Sequence, residues 1–125
     1  MPCRVLIVDD EIAIANVVAR KLQNAGLETS VATDGQEGYE QALARRPDFM
    51  ITDLQMPGMT GVELCTRLTA ELDEPIPTIL LTAKGFEIDR AVLTHLPILH
   101  VMTKPFSPSE LLAAVREALG LCAPA

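Results

Sequence analysis

The sequence predicts an α/β domain in which five strand–helix units form a doubly wound parallel sheet. Five short runs rich in β-branched residues recur along the chain, at residues 4–8, 28–32, 49–53, 78–82 and 100–103. The first, third and fourth runs contain continuous apolar blocks, which are typical of strands buried on both faces of a parallel sheet. Segments with apolar residues at helical spacing separate the runs and follow the last one.

The first two helices are recognised by their ends and their apolar faces. The first is predicted to end at Gly26, because glycine commonly terminates helices, and Asp34 can cap the start of the second. The apolar faces comprise Ile14, Val17, Val18, Leu22 and Ala25 in the first helix and Tyr39, Ala42 and Leu43 in the second. Both helices fit the right-handed crossovers that join parallel strands.

The remaining three helices follow the same pattern. In the last one, Ser107 is a capping residue, Pro108 suits the first turn, Glu110 completes a capping box, and Gly120 is predicted to stop the helix. The apolar faces comprise Leu64, Cys65, Leu68 and Leu72, then Ile88, Ala91, Val92 and Leu96, and finally Leu111, Leu112, Val115 and Leu119. We therefore expect a single domain over residues 1–125, with a core at about residues 3–120.

Composition and charge exclude several classes of protein. Of the 125 residues, 49% are hydrophobic and 22% are charged, which excludes a disordered chain. Ten basic and 17 acidic residues give a net charge of −7, so we expect no direct binding to nucleic acid, whose phosphates attract Lys and Arg. No apolar run approaches the roughly 20 residues that span a bilayer, and no signal-peptide core is visible. A cytoplasmic protein without membrane association is expected.

Cysteine and histidine usage argues against a metal-thiolate or zinc site. The three cysteines, Cys3, Cys65 and Cys122, are odd in number and widely spaced, which excludes a disulfide framework and a CxxC motif. They are expected to be buried or incidental thiols. His95 and His100 lack the spacing of metal ligands.

Charged and polar residues follow the predicted strands directly. The first strand leads into the acidic run 9–11, the third ends in Asp53, the fourth ends in Thr82, and the fifth leads into Lys104. Ligands of open parallel sheets bind beyond the carboxyl ends of the strands. We therefore expect these side chains to share one pocket at that edge of the sheet.

The expected pocket is too acidic to be left without a cation. Two like charges 4 Å apart repel by about 4 kcal/mol at an effective dielectric constant of about 20. Mg²⁺ suits such a site, because it prefers carboxylate oxygens and shares its coordination sphere with water and phosphate; Mn²⁺ is the expected substitute. A divalent ion, an ammonium group and a hydroxyl around one carboxylate are the parts that phosphoryl transfer onto that carboxylate needs.

Four stretches, at residues 5–11, 51–61, 81–83 and 103–106, resemble the receiver (CheY-like) domain of two-component response regulators. The most specific is the motif Asp-x-x-Met-Pro-x-Met-x-Gly from Asp53 to Gly61, and the other three stretches have the right order and spacing. The resemblance extends from about residue 3 to about residue 120. It implies a flavodoxin-like fold with strand order 2-1-3-4-5.

The resemblance also implies roles for the acidic residues. Asp53 matches the phosphoacceptor. Asp9 and Asp10 match the acidic pair of the family, in which Asp10 and Asp53 would ligate Mg²⁺ directly and Asp9 would act mainly through water. Gln55 matches the position whose backbone carbonyl completes the metal site.

Further roles follow for residues after the third, fourth and fifth strands. Thr82 matches the hydroxyl that bonds the phosphoryl group and triggers the conformational change. Lys104 matches the lysine that pairs with phosphoryl oxygens, and Pro105 follows it through what is usually a cis peptide bond. Pro57 and Gly61 would shape the loop after Asp53.

The resemblance also implies partners. The phosphoryl group would come from a phosphohistidine on a sensor histidine kinase or a phosphotransfer protein, and the switched surface would bind a downstream protein. The chain would assist only its own phosphorylation and dephosphorylation, so it is not expected to be an enzyme in the usual sense.

Three positions depart from the family pattern. Val101 stands where the family usually has an aromatic residue, which puts the usual signalling rotamer in question. Residues 96–98 replace a small-residue turn, so the fourth helix is expected to end differently. Lys84 lies two residues after Thr82 and is expected to add positive charge near the pocket.

Two other functions are compatible with the fold class. A Mg²⁺-dependent phosphohydrolase acting through an aspartyl phosphate would need an acid–base Asp two residues after Asp53, where Gln55 stands. A flavin-binding electron carrier would need a phosphate loop after the first strand, where the acidic run 9–11 would repel the cofactor phosphate. Both are less consistent with the sequence than a receiver.

Overall fold

Strands and helices alternate along the chain in the computed structural model, which describes residues 3–83 and 90–122. The strands in this part of the chain are β1 (Arg4–Val8), β2 (Glu28–Ala32), β3 (Phe49–Asp53), β4 (Thr78–Ala83) and β5 (Ile98–Lys104). The helices are α1 (Ile12–Asn24), α2 (Gly35–Ala44), α3 (Gly61–Glu71), α4 (Arg90–Leu93) and α5 (Pro108–Cys122).

The strands form one parallel sheet in the order β2-β1-β3-β4-β5. The predicted fold class and strand order are confirmed, and β1, β2 and β3 have the predicted bounds. β4 is one residue longer than predicted, and β5 begins two residues earlier and ends one residue later. Both additions extend the ladder between β4 and β5, which pairs Thr78 with Ile98 and Ala83 with Lys104.

Helices cover both faces of the sheet, so its central strands are buried on both sides. Alternate residues of a strand point to opposite faces, and two apolar clusters result. Val5, Ile7, Phe49 and Ile51 belong to one cluster, together with side chains of α1 and α5. Leu6, Val8 and Met50 belong to the other, together with side chains of α2 and α3. This arrangement explains the continuous apolar blocks in the sequence.

Most of the predicted helix boundaries are confirmed. Gly26 follows α1 with a φ of 93°, the Asp34 carboxylate accepts the Glu37 N–H at 2.7 Å, and the Ser107 hydroxyl oxygen accepts the Glu110 N–H at 3.0 Å. The predicted stop at Gly120 is wrong, because α5 continues to Cys122. Glycine in a helix costs only about 1 kcal/mol relative to alanine.

The fourth helix is shorter than its predicted apolar face. Within the described residues α4 ends at Leu93, and Leu96 lies in the turn at residues 94–97 that leads into β5. Pro97 disfavours a helical conformation in the residue before it, which accounts for the early end. Of the other predicted positions, Ile88 and Lys84 lie outside the described residues.

Two of the cysteines carry free thiols, Cys3 and Cys65. Burial raises the pKa of Cys65 to about 12, so this thiol is a core group rather than a nucleophile. In the part of the chain that the structure describes, every helix is too short or too polar to cross a membrane.

Candidate functional site

Three carboxylates meet at the carboxyl edge of the sheet. β1 and β3 are neighbours, with Val8 paired to Thr52. Asp9, which follows β1, and Asp53, the last residue of β3, therefore lie side by side. Carboxylate oxygens of Asp9, Asp10 and Asp53 all lie within 4.8 Å of one another. Asp9 and Asp53 are buried, at 1% and 5% exposure, whereas Asp10 is exposed. The acidic residues singled out in the sequence are therefore brought together.

Among the residues that the structure describes, Lys104 provides the positive charge of the pocket. Its Nζ lies 3.2 Å from Asp9 Oδ2, 3.3 Å from Glu11 Oε1 and 3.4 Å from Asp53 Oδ2. Burial lowers the pKa of Lys104, but the neighbouring Asp53 and Asp9 carboxylates outweigh it, so the pKa lies above its usual value. Lys104 therefore stays an ammonium group.

Asp9 is held by the protein through both of its oxygens. Oδ1 accepts the Glu11 backbone N–H at 2.9 Å, and Oδ2 accepts from Lys104 Nζ at 3.2 Å. Each of these bonds uses one of the lone pairs that a metal ion could otherwise take. This geometry is compatible with a water-mediated role for Asp9 and a direct one for the exposed Asp10.

The electrostatics of Asp53 are set by two opposing influences. Burial raises the pKa of its carboxyl, and the charges of Asp9 and Asp10 add to that effect, whereas Lys104 opposes it. The net pKa lies above the usual value of 3.8. The ionised carboxylate is thus held at a cost in free energy, which a further cation would relieve.

The donor set fits a hard divalent cation. Three carboxylates supply oxygen ligands at one point, and the exposure of Asp10 leaves open positions for water or a phosphoryl oxygen. Gln55 lies in the loop after β3 and is exposed. The role of its backbone carbonyl as a metal ligand stays a prediction.

The loop after Asp53 approaches β3 too closely for a side chain at Gly61. A Cβ on Gly61 would lie 2.5 Å from the Asp53 carbonyl oxygen and 2.9 Å from Leu80 Cδ1. The Gly61 N–H donates to the Leu54 carbonyl at 2.9 Å, and Gly58 makes the turn with a φ of 81°. The contribution of Gly61 to the shape of this loop, predicted from the sequence, thus has a steric cause.

Thr82 and Pro105 complete the edge of the pocket. Thr82 is buried at 4% exposure on β4, one residue after the pair that Leu81 forms with Asp53. Its hydroxyl donates to the Ala83 carbonyl at 3.4 Å, which is long for an O–H···O bond and leaves the group available to another acceptor. The peptide bond between Lys104 and Pro105 is cis, as predicted.

Val101 occupies the β5 position where receiver domains usually have an aromatic residue. It is half-buried and pairs with Leu80 on β4. The consequence for switching stays a prediction, because it concerns a change between two states.

Sequence reasoning missed two features of the site. The first is the contact of Glu11 with Lys104, for which the only signal was a third acid in the run 9–11. The second is an adjoining groove of about 540 Å³, for which apolar residues on the outer face of α1 were a weak signal. Its apolar lining includes Ile14, Val17, Val18, Pro105, Phe106 and Pro108, and the charged residues Glu11 and Lys104 line it as well.

Comparisons with known proteins agree with this geometry. Residues 5–116 match the family model described as the response regulator receiver domain. The transcriptional regulatory protein PhoP of alkaline phosphatase synthesis in Bacillus subtilis is 34% identical over 93% of this chain and 48% of its own length. The phosphate regulon transcriptional regulatory protein PhoB of Pseudomonas aeruginosa is 40% identical over 92% and 51%. The chain thus spans about half the length of these relatives.

Solved structures match over nearly the whole chain. The chemotaxis response regulator CheY4 of Vibrio cholerae has a TM-score of 0.84 and 31% identity, covering 94% of this chain and 98% of its own. The receiver domain of the Francisella response regulator 1452 has a TM-score of 0.86 and 29% identity, covering 97% and 99%.

Proposed function

This chain belongs to the response regulator receiver family, and from that premise we propose that Asp53 is the aspartate on which it accepts a phosphoryl group. A receiver takes this group in two-component signalling and switches a protein-interaction surface. The observation that carries the assignment is the position of Asp53, whose carboxylate lies within 4.8 Å of the carboxylate oxygens of Asp9 and Asp10 and 3.4 Å from Lys104 Nζ. We further propose that the receiver domain spans residues 1–125, with its core at about 3–120.

The transfer requires an in-line attack by a carboxylate oxygen of Asp53 on the phosphorus of a phosphohistidine. A P–O bond forms, the P–N bond breaks, and the imidazole nitrogen leaves and takes up a proton. Lys104 is positioned to balance the charge of the phosphoryl oxygens, because its ammonium already contacts Asp53 Oδ2. Burial of Asp53 excludes most of the water that would otherwise screen this interaction.

Mg²⁺ is the proposed cofactor, with Mn²⁺ as its substitute. Asp10 and Asp53 would hold it directly, Asp9 would act through water, and the Gln55 backbone carbonyl would complete the site. When bound, the ion offsets the charge of the carboxylates and of the transferred group.

Thr82 is the proposed switch residue. Its hydroxyl makes one long bond in this state, to the Ala83 carbonyl, and a phosphoryl oxygen is a stronger, charged acceptor. Exchange of one acceptor for the other would move Thr82 at the end of β4 and change the neighbouring surface.

The proposed partners are a sensor histidine kinase or histidine phosphotransfer protein as donor and a protein as downstream target, all in the cytoplasm. The groove beside the pocket supports a protein donor, because an apolar docking surface there would bring a histidine next to Lys104 and Asp53. Free thiols at Cys3 and Cys65 suit a reducing compartment. Catalysis by the chain would be limited to its own phosphorylation and dephosphorylation, without membrane or nucleic-acid contact by this domain.

The decisive experiment compares two Asp→Asn substitutions at opposite ends of β3. Asp53→Asn should abolish labelling by acetyl phosphate or by a phosphorylated kinase, followed by intact-mass spectrometry, because the amide is not a nucleophile. Asp48→Asn is the control: Asp48 is exposed just before β3 and accepts the Arg4 N–H at 2.9 Å, so labelling should persist. Undiminished labelling of Asp53→Asn would contradict the assignment.

A further inference from the structure

Among the residues that the structure describes, Glu11 is the one ionic partner of Lys104 that is neither the proposed acceptor nor a proposed metal ligand. Its Oε1 lies 3.3 Å from Lys104 Nζ. Glu11 occupies the N-cap position of α1, yet its side chain makes no capping hydrogen bond there. The carboxylate is instead directed to the lysine, while its backbone N–H donates to Asp9.

The three donors of the Lys104 ammonium are matched by three carboxylates in this state. A lysine ammonium has three N–H groups and no acceptor, and Asp9, Glu11 and Asp53 lie at 3.2, 3.3 and 3.4 Å. Phosphorylation itself replaces the Asp53 contact, because the carboxylate becomes an acyl phosphate whose charge lies on the phosphoryl oxygens. For the ammonium to turn fully toward those oxygens, it must loosen its contact with Asp9 or with Glu11.

Burial decides which contact is released. The side chain of Asp9 is 1% exposed, so its carboxylate would lose its counter-charge without gaining water. The Glu11 side chain is 59% exposed and can be hydrated as soon as it leaves the lysine. Release of Glu11 is thus less costly than release of Asp9.

We propose that Glu11 is a positioning residue that competes with the phosphoryl group for Lys104. This inference rests on the proposed function of Asp53. In the unphosphorylated state Glu11 holds the ammonium through the 3.3 Å contact, and it gives up the lysine when phosphoryl oxygens arrive. The competition lowers the affinity of the pocket for a phosphoryl group.

The expected effect is modest, because the Glu11 side of the competing ion pair is 59% exposed. Exposed ion pairs of this kind change an equilibrium by about two- to fivefold. Glu11→Gln should therefore bind beryllofluoride, a phosphoryl mimic, about two- to fivefold more tightly at saturating Mg²⁺. Labelling by acetyl phosphate should quicken by a similar factor.

A matched control separates the effect of losing the contact between Glu11 and Lys104 from the effect of a change in the net charge of the protein. Glu74→Gln makes the same change at an exposed residue in the loop before β4, at the opposite edge of the sheet. It should leave beryllofluoride affinity and labelling rate at the wild-type values.

A second measurement reports on the contact itself without metal or phosphate. The chain has three lysines, Lys21, Lys84 and Lys104, so their side-chain Hε–Cε resonances can be assigned by substitution. In the metal-free protein, Glu11→Gln should shift the Lys104 resonances, and Glu74→Gln should not. A general loss of structure would shift all three lysines and is distinguished in this way.

The outcomes are distinct for the two proposals. Unchanged Lys104 resonances in Glu11→Gln, or beryllofluoride affinity equal to that of the wild type, would overturn the role of Glu11. If the wild-type protein itself fails to bind beryllofluoride with Mg²⁺, the proposed function is wrong, and the role of Glu11 is wrong with it.

Discussion

β3 and β5 each deliver one charged side chain to the same pocket from very different surroundings. β3 lies in the middle of the sheet and is buried at every residue, whereas β5 is an edge strand in which only Met102 is buried. The two side chains, Asp53 and Lys104, nevertheless end 3.4 Å apart. The proposed acceptor is thus held in place by the core, and its counter-charge comes from a strand in contact with solvent.

This difference suits a switch. A nucleophile held in one position reduces the orientational cost of each transfer. Segments with few buried contacts open at a lower free energy than core segments, so an edge strand can change its position or its partner while the core stays intact. We therefore expect phosphorylation to alter the β4–β5 side of the molecule more than the β1–β3 side.

The largest expected effect tests the contrast between centre and edge directly. Ile51→Ala removes a side chain with 0% exposure from β3 and should lower the free energy of unfolding by about 2–5 kcal/mol. Leu99→Ala on β5, where the side chain is 52% exposed, should change it by no more than about 0.5 kcal/mol. Urea unfolding measures both, and equal losses would show that β5 is as firmly embedded as β3.

A second prediction sharpens the picture of the acidic side. Asp10→Asn removes an exposed carboxylate that is proposed to ligate Mg²⁺ directly, whereas both oxygens of Asp9 are engaged with Glu11 and Lys104. Asp9→Asn should weaken Mg²⁺ binding about tenfold, as loss of an outer-sphere partner does, and Asp10→Asn should weaken it more. Isothermal titration calorimetry with Mg²⁺ measures the affinity of each variant. Equal affinities for Asp9→Asn and Asp10→Asn would contradict this division of roles.

A third prediction concerns Thr82, which lies on β4, the strand of the β4–β5 side that borders β3. Thr82→Ala should still be labelled on Asp53, because the hydroxyl is not the nucleophile. It should show little change in the amide shifts of residues 83–98 when beryllofluoride binds. A ligand shifts a two-state equilibrium only by its differential affinity for the two states, and the Thr82 bond is the proposed source of that difference.

Thr103→Ala is the matched control for this experiment. Thr103 is the β5 partner of Thr82 in the ladder and is exposed, so its hydroxyl has no part in the proposed switch. If beryllofluoride changes the amide shifts of residues 83–98 in Thr82→Ala as much as in the wild type, the switch depends on another residue.

The smallest expected effect tests how much the buried carboxylate of Asp53, the proposed acceptor, lowers the stability of the metal-free fold. Because the pKa of Asp53 lies above its usual value of 3.8, the folded state binds this proton more tightly than the unfolded state does. The ionised carboxylate therefore destabilises the metal-free fold at neutral pH, and the penalty disappears as the pH falls through the folded pKa to below 3.8.

Asp53→Asn should accordingly raise the Tm of the metal-free protein at pH 7, by an amount that shrinks on acidification. Thermal unfolding in a chelator over a pH series measures this. A Tm of Asp53→Asn at or below that of the wild type at pH 7 would contradict a net penalty.

Several elements could be predicted from the sequence because their causes are local. The continuous apolar blocks at β1, β3 and β4 report burial on both faces, and capping residues such as Asp34 and Ser107 act within one turn of their own helix. The carboxyl ends of parallel strands share one edge of the sheet, so Asp9, Asp53 and Lys104 could be expected in one pocket from the sequence alone. Gly120 shows the limit of this approach: glycine is common at helix ends, but α5 passes through it.

Tertiary structure alone decided the features that depend on contacts between distant segments. Nothing local in the sequence indicates that the third acid of the run 9–11 contacts Lys104, or that a side chain at residue 61 would collide with the Asp53 carbonyl. The same is true of the burial that raises the pKa of Asp53, since desolvation depends on what the folded chain places around a group. Local patterns thus determined which residues reach the edge of the sheet, and packing between segments decided how closely they meet and which of their charges water can still stabilise.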